Sequence, residues 1–147
     1  MWLCKINLLK NMQINKPLKN WRENDLFLWL SKNYYNLLVN TNEGFSQFDC
    51  YDIETKNRIE LKCRSKHYDN LIIEKPKFDF LVNKSIEMGD IPVYINSTPK
   101  GIYLFKLQEL DLNWYLKKLP KSTDFENKNT IEKKVSEINI KYSLKLK

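Results

Sequence analysis

Apolar and polar positions along the chain alternate in two rhythms, and together they sketch an ordered set of elements. In residues 21–38, Leu26, Leu30 and Leu37 recur at helical spacing with Phe27, Trp29 and Tyr34 beside them. This pattern predicts an amphipathic helix, stopped by Asn40, Asn42 and Gly44. Residues 45–53 and 58–64 each alternate with period two, and the polar stretch Glu54-Thr55-Lys56-Asn57 between them reads as the turn of a hairpin. In the second run Ile59, Leu61 and Cys63 share one face, while Arg58, Glu60, Lys62 and Arg64 share the other. Residues 65–75 show no rhythm and read as irregular. Pro76 suits the first turn of a helix that runs to Met88 and is closed by Gly89. Residues 91–96 and 101–107 form a second hairpin candidate around Ser97-Thr98-Pro99-Lys100. Beyond it the pattern predicts a short helix over 110–119, a polar loop over 120–129, and a late edge strand over 135–146. Helix, two or three strands, helix, strand, strand is the order of a mixed α/β layer, with a mixed central sheet flanked by helices.

Length and composition bound this picture. At 147 residues, 42% of them hydrophobic and 13% aromatic, the chain suits one folded domain rather than two or a disordered one. The core is expected over about 20–107, with a basic C-terminal extension over about 108–147. The formal net charge is +7, from 25 cationic residues of which only Arg22, Arg58 and Arg64 are arginine. Such a balance points to a phosphate-bearing partner, although the richness in Lys, Asn and Ile also fits an A/T-rich coding sequence. Cys4, Cys50 and Cys63 are an odd number with no CxxC pair, which excludes a disulfide framework and a zinc ribbon. No stretch approaches the roughly twenty apolar residues of a membrane helix, and no signal-peptide pattern opens the chain. The chain therefore reads as intracellular, with no membrane partner. A single histidine, His67, cannot supply HNH, HD-type or two-histidine ribonuclease chemistry, and three glycines leave no room for a Walker or Rossmann loop.

What remains is a carboxylate constellation on the first hairpin. Hydrolysing a phosphodiester with a divalent ion takes carboxylates that converge on the metal, and a nearby lysine can orient the attacking water or offset phosphate charge. Residues facing one another across adjacent strands lie about 4.5–5.5 Å apart, so a hairpin can bring such groups together. Glu60 and Lys62 share a face of the second strand. A two-residue turn at Thr55-Lys56 sets Tyr51 against Glu60 and Asp49 against Lys62, whereas a three-residue loop sets Asp52 against Glu60. Asp49 is preferred because it lies farther from the turn; Asp52 is the alternative. The triplet E-x-K carries little by itself, since Glu54-Thr55-Lys56 and Glu132-Lys133-Lys134 also fit it. An ordinary surface hairpin would show the same alternation, so the strength of Glu60 lies in its apolar-flanked strand between two helices.

Phe48-Asp49, ten intervening residues, and Ile59-Glu60-Leu61-Lys62 resemble the motif of the PD-(D/E)XK, or restriction-endonuclease-like, nuclease superfamily. Phe48 stands where a proline is often found. The resemblance spans about the first two-thirds of the chain and implies a core of helix, three-stranded meander, helix and strand. It implies a DNA endonuclease in which Asp49 and Glu60 bind Mg²⁺ (or Mn²⁺) with the Leu61 carbonyl, and Lys62 assists the water. Glu23 would correspond to an acidic residue that family members add from the first helix. Lys77, and less well Lys75, would match a basic residue at the start of the second. Duplex or branched DNA is the implied partner, and a homodimer is compatible with it. The run Glu60-Leu61-Lys62-Cys63-Arg64, with its tyrosine-bearing loop and lysine-led helix, looks most like small nucleases of phage and mobile elements. That implies a virus-encoded protein in the cytoplasm of a bacterial host. Arg64, Lys66 and Lys75 flank the motif as candidates for gripping phosphates, against the alternative of a solvated basic face. A second reading of the same fold is a catalytically inactive DNA-binding or interaction module.

Overall fold

The computed structural model describes residues 14–41, 49–121 and 129–147. The first helix, α1, spans Glu23–Asn33. The Asp25 carboxylate accepts the Arg22 N–H at 2.9 Å, capping its first turn. It ends earlier than the apolar spacing predicts. Tyr34 and Tyr35 both donate their N–H to the Leu30 carbonyl, and the chain turns out of the helix. Leu38–Asn40 then forms strand β1, which pairs with β2 (Cys50–Asp52). The run Asn33-Tyr34-Tyr35-Asn36 consists of weak helix formers, so a sheet edge that pairs Leu38 with Asp52 outcompetes another helical turn. Residues 45–48, predicted to begin the next strand, lie outside the described residues, as do Asn42 and Gly44.

Strand β3 covers Asn57–Cys63, and its register against β2 is Cys50↔Ile59, Tyr51↔Arg58 and Asp52↔Asn57. Both predicted registers are therefore corrected. The connection has four residues, 53–56, with Lys56 left-handed at φ 59°. Asp52 organises that loop, because its carboxylate accepts from Thr55 N at 2.8 Å and Thr55 Oγ1 at 2.7 Å. Helix α2 spans Lys75–Met88, with Pro76 in its first turn and Gly89 left-handed at φ 71° as its stop, as its punctuation predicts. β5 (Ile91–Thr98) and β6 (Gly101–Lys106) form the second hairpin. β5 runs parallel to β3, with Glu60 beside Tyr94 and Lys62 beside Asn96.

Three later predictions change. Asn70–Glu74, expected to be irregular, is strand β4; the stretch 110–119, expected to be helical, instead leads into strand β7 (Tyr115–Pro120). The late strand divides into β8 (Thr130–Asn139) and β9 (Leu144–Lys145). β8 lies at the centre of a three-stranded sheet β4-β8-β7, and β9 edges the main sheet, whose order is β1-β2-β3-β5-β6-β9. Strands β7, β8 and β9 of the C-terminal part thus take places in the two sheets.

Alternation along β3, β5 and β6 divides the core into two layers. Ile59, Leu61, Val93, Ile95, Ile102 and Leu104 pack against Leu26, Phe27 and Leu30 of α1. On the opposite face Tyr94, Tyr103 and Phe105 pack with Leu81 of α2 and with Leu71, Ile73 and Ile138 of the second sheet. The main sheet is covered on both faces, so its charged face is not a solvated one. The result is a mixed α/β fold with helices on a mixed sheet. Among the described residues no helix is long and apolar enough to cross a membrane.

Candidate active site

Glu60 sits in the middle of β3 on the face covered by α2, and is 7% exposed. Helix α2 is placed so that Lys77, its third residue, reaches down to this strand, where its Nζ donates to Glu60 Oε1 at 2.7 Å. Asp49 stands immediately before β2. Its N–H donates to the Ile59 carbonyl at 3.1 Å, and its Oδ2 accepts the Leu61 N–H at 2.8 Å. The side chain thus takes the place of a ladder partner along β3 and brackets Glu60.

Electrostatics bind these groups into one cluster. Burial pushes the Glu60 carboxyl up to about 7; the negative charge of Asp49 adds to the rise and Lys77 opposes it. The Asp49 carboxyl also lies above its ordinary value, through burial first, with the Leu61 N–H, Lys77 and Lys62 pulling it down. Glu23, the first residue of α1, is exposed as a residue, yet desolvation first and Asp49 second raise its carboxyl, against Lys62 and Lys77. For Lys77, desolvation works against the charged form, and the bond and charge of Glu60 outweigh it, so its ammonium is held above the ordinary value. Glu23, Asp49, Glu60, Lys62 and Lys77 therefore converge, although they come from α1, the approach to β2, β3 and α2.

Asp52 does not join them. It is fully buried, and besides the Thr55 groups it accepts the Leu37 N–H at 3.1 Å, so its carboxylate ties β1 to the hairpin turn. Two of the three expected phosphate-gripping residues are also engaged within the protein. Arg64 donates through Nε to Asn96 Oδ1 at 2.8 Å, and through Nη2 to the Ile72 carbonyl at 2.7 Å and Tyr94 Oη at 3.2 Å, bracing β3, β4 and β5. Lys75 pairs with Asp79 at 2.9 Å and lies over the Trp114 ring. Lys66 is exposed just beyond β3. His67 is held between Thr98 Oγ1 at 2.8 Å and Asp69 Oδ1 at 3.1 Å. Burial lifts the Cys63 thiol to about 11, which removes it as a nucleophile near neutral pH.

Sequence reasoning missed Tyr94, the buried neighbour of Glu60 whose hydroxyl donates to the Ile72 carbonyl at 3.0 Å and meets Arg64. The alternation of residues 91–96 was the available signal, since it turns Tyr94 away from Val93 and Ile95. It also missed the buried ion pair of Arg58 with Asp90, where Asp90 Oδ1 further accepts from Tyr51 Oη at 3.2 Å.

The donor chemistry fits a hard divalent ion: a buried carboxylate, Glu60, and a half-buried one, Asp49, lie close enough that Asp49 raises the proton affinity of Glu60, and a lysine ammonium already offsets Glu60. Among the described residues no three His, Cys, Asp or Glu side chains form a ready cage. Mg²⁺ does not require one, being held by one or two carboxylates together with water and substrate phosphate.

No family model and no curated protein matches this chain. Among solved structures it is similar to Hjc, a Holliday junction resolvase from the archaeal hyperthermophile Archaeoglobus fulgidus. The TM-score is 0.56 and the identity 18%, over 84% of this chain and 96% of that one. Apart from β4, which joins the second sheet, the order α1, β1-β2-β3 meander, α2, β5 matches the predicted core, and the likeness shows that the chain has a restriction-endonuclease-like fold.

Proposed function

We propose that this chain is a metal-dependent endonuclease that hydrolyses DNA phosphodiester bonds, with branched DNA as its substrate class. The observation that carries the reading is the convergence of Asp49 and Glu60 with Lys62 and Lys77 about the middle of β3, in a fold shared with a Holliday junction resolvase. Asp49 and Glu60 would hold Mg²⁺ or Mn²⁺. The Leu61 carbonyl would be the third donor, leaving β3 on the same edge as the N–H that anchors Asp49. Such an ion would polarise the phosphoryl group and lower the pKa of the attacking water. The anchored Oδ2 keeps Asp49 in one orientation, so its carboxylate arrives pre-positioned. Lys62, on the same face as Glu60 and close enough to lower the Asp49 and Glu23 carboxyls, orients the water and offsets charge on the phosphate. Glu23 supports the cluster from the rim of α1. Cutting both strands of a junction calls for two such sites, so the reading includes a homodimer. Lys66 and the lysines of the β7–β8 hairpin supply positive charge toward the DNA backbone.

The test is incubation of the protein with a four-way junction and with supercoiled DNA, in Mg²⁺ or EDTA, beside Glu60→Ala and Lys62→Ala. Mg²⁺-dependent nicking lost in both variants is the expected result; identical behaviour of all three proteins rejects the reading. The Glu60–Lys77 ion pair, complete without a metal, favours one second reading, a binding module without catalysis. Salt-sensitive junction binding that survives Glu60→Ala, with no cleavage by the unaltered protein, would select it.

A further inference from the structure

We propose that Lys77 is a stand-in cation, displaced from Glu60 when a divalent ion loads and thereby released to grip the substrate phosphate, so that metal and DNA binding are coupled through one side chain. The inference rests on the reading of Asp49 and Glu60 as the metal site.

Its basis is the contrast between the two members of the pair. The Glu60 side chain is 9% exposed and fixed in the middle of a strand, whereas that of Lys77 is 53% exposed at the first turn of α2, with Nζ on Glu60 Oε1 at 2.7 Å. Only the lysine can swing. Its stem is long and its neighbours at the helix start hold the backbone without it: Pro76 fixes the first turn, and Lys75 is tied to Asp79. Lysine is also a compact point charge suited to exchanging one oxyanion for another.

Charge decides the direction of exchange. With all three carboxylates ionised, as metal binding requires, Glu23, Asp49 and Glu60 outnumber the ammonium groups of Lys62 and Lys77 by one. A divalent ion reverses that sign, so two cations would then compete for the Glu60 oxygen and the more mobile one leaves. The displaced ammonium remains tethered beside the site, where a phosphodiester offers it a new anionic partner. By linkage, if the metal ion frees Lys77 for the phosphate and so raises DNA affinity, DNA raises metal affinity by the same factor.

The experiment titrates Mn²⁺ into the DNA-free protein by calorimetry for the unaltered chain, Lys77→Met and Lys77→Arg. Binding of a fluorescent four-way junction is measured in parallel, in EDTA and in Ca²⁺. Lys77→Met is expected to bind Mn²⁺ about tenfold more tightly, the value of one charge-assisted hydrogen bond, and to show a Ca²⁺-induced gain in junction affinity smaller by a similar factor. Lys77→Arg, which keeps the charge, should stay near the unaltered protein. Equal or weaker Mn²⁺ binding by Lys77→Met overturns the proposal even where the unaltered protein binds the ion. Absence of Mn²⁺ binding by the unaltered protein overturns instead the metal-site reading on which it rests.

Discussion

Replacing Glu60 with glutamine should remove catalysis and, at the same time, stabilise the fold at alkaline pH. Burial lifts the Glu60 carboxyl from 4.5 to about 7, with Asp49 contributing and Lys77 opposing. Below the unfolded value the group is protonated in both states and contributes nothing. Between the two values the unfolded chain has lost its proton while the native protein retains it, so stability falls as pH rises. Above about 7 the native state carries the full penalty of a buried carboxylate, which for a difference of this size is about 3 kcal/mol. Glutamine has nearly the same shape, retains an oxygen that can accept from Lys77, and never ionises. Urea unfolding in EDTA should therefore find Glu60→Gln more stable by about 2–3 kcal/mol at pH 8 and equal to the unaltered protein at pH 4. In thermal unfolding a difference of that size is a rise of roughly 5–10 °C at pH 8. A stability difference that does not change with pH, or a variant weaker than the parent at pH 8, would refute the argument that Glu60 is a strained, desolvated carboxylate. A gain in stability with loss of cleavage is the signature of a residue kept for chemistry rather than for folding.

Two further predictions separate residues that look alike in the sequence. Asp52→Ala, which removes acceptors for Leu37 N, Thr55 N and Thr55 Oγ1, should cost about 2–3 kcal/mol in urea unfolding and leave cleavage per folded molecule intact. Asp49→Ala should do the reverse; loss of cleavage from Asp52→Ala at undiminished stability would exchange their roles. Asp90→Ala should cost about 3–5 kcal/mol by removing the carboxylate that compensates the buried Arg58 charge, and the double change Arg58→Met with Asp90→Leu should cost clearly less. Equal losses from the single and double changes would mean that the pair is not held against a desolvation penalty.

The sequence by itself determined whatever depends on neighbours within a few residues. Helix α2 follows from Pro76, an amphipathic run and Gly89, and the β5–β6 hairpin from two alternating runs about a Pro-Lys turn. The alternation of β3 places Glu60 and Lys62 on one face and Ile59 and Leu61 on the other, because a strand has no other period available. Only the tertiary structure decided which strands exist without a strong rhythm. β1, β4 and β7 are short or polar and exist because β2 and β8 offer them ladder partners distant in sequence. The register of the first hairpin was likewise out of local reach, since it depends on a four-residue loop with Lys56 in a left-handed conformation and Asp52 buried beneath it. That loop turns Asp52 into a structural acceptor and leaves Asp49 beside Glu60. The fate of the basic residues was settled in the same way: Arg64 and Lys75 look equivalent to Lys77 in a list of charges. Yet Arg64 braces three strands, Lys75 pairs along its own helix, and only Lys77 lies over a buried carboxylate. Charge and alternation are local properties, whereas the partner that gives a charge its role is chosen by packing across the whole chain.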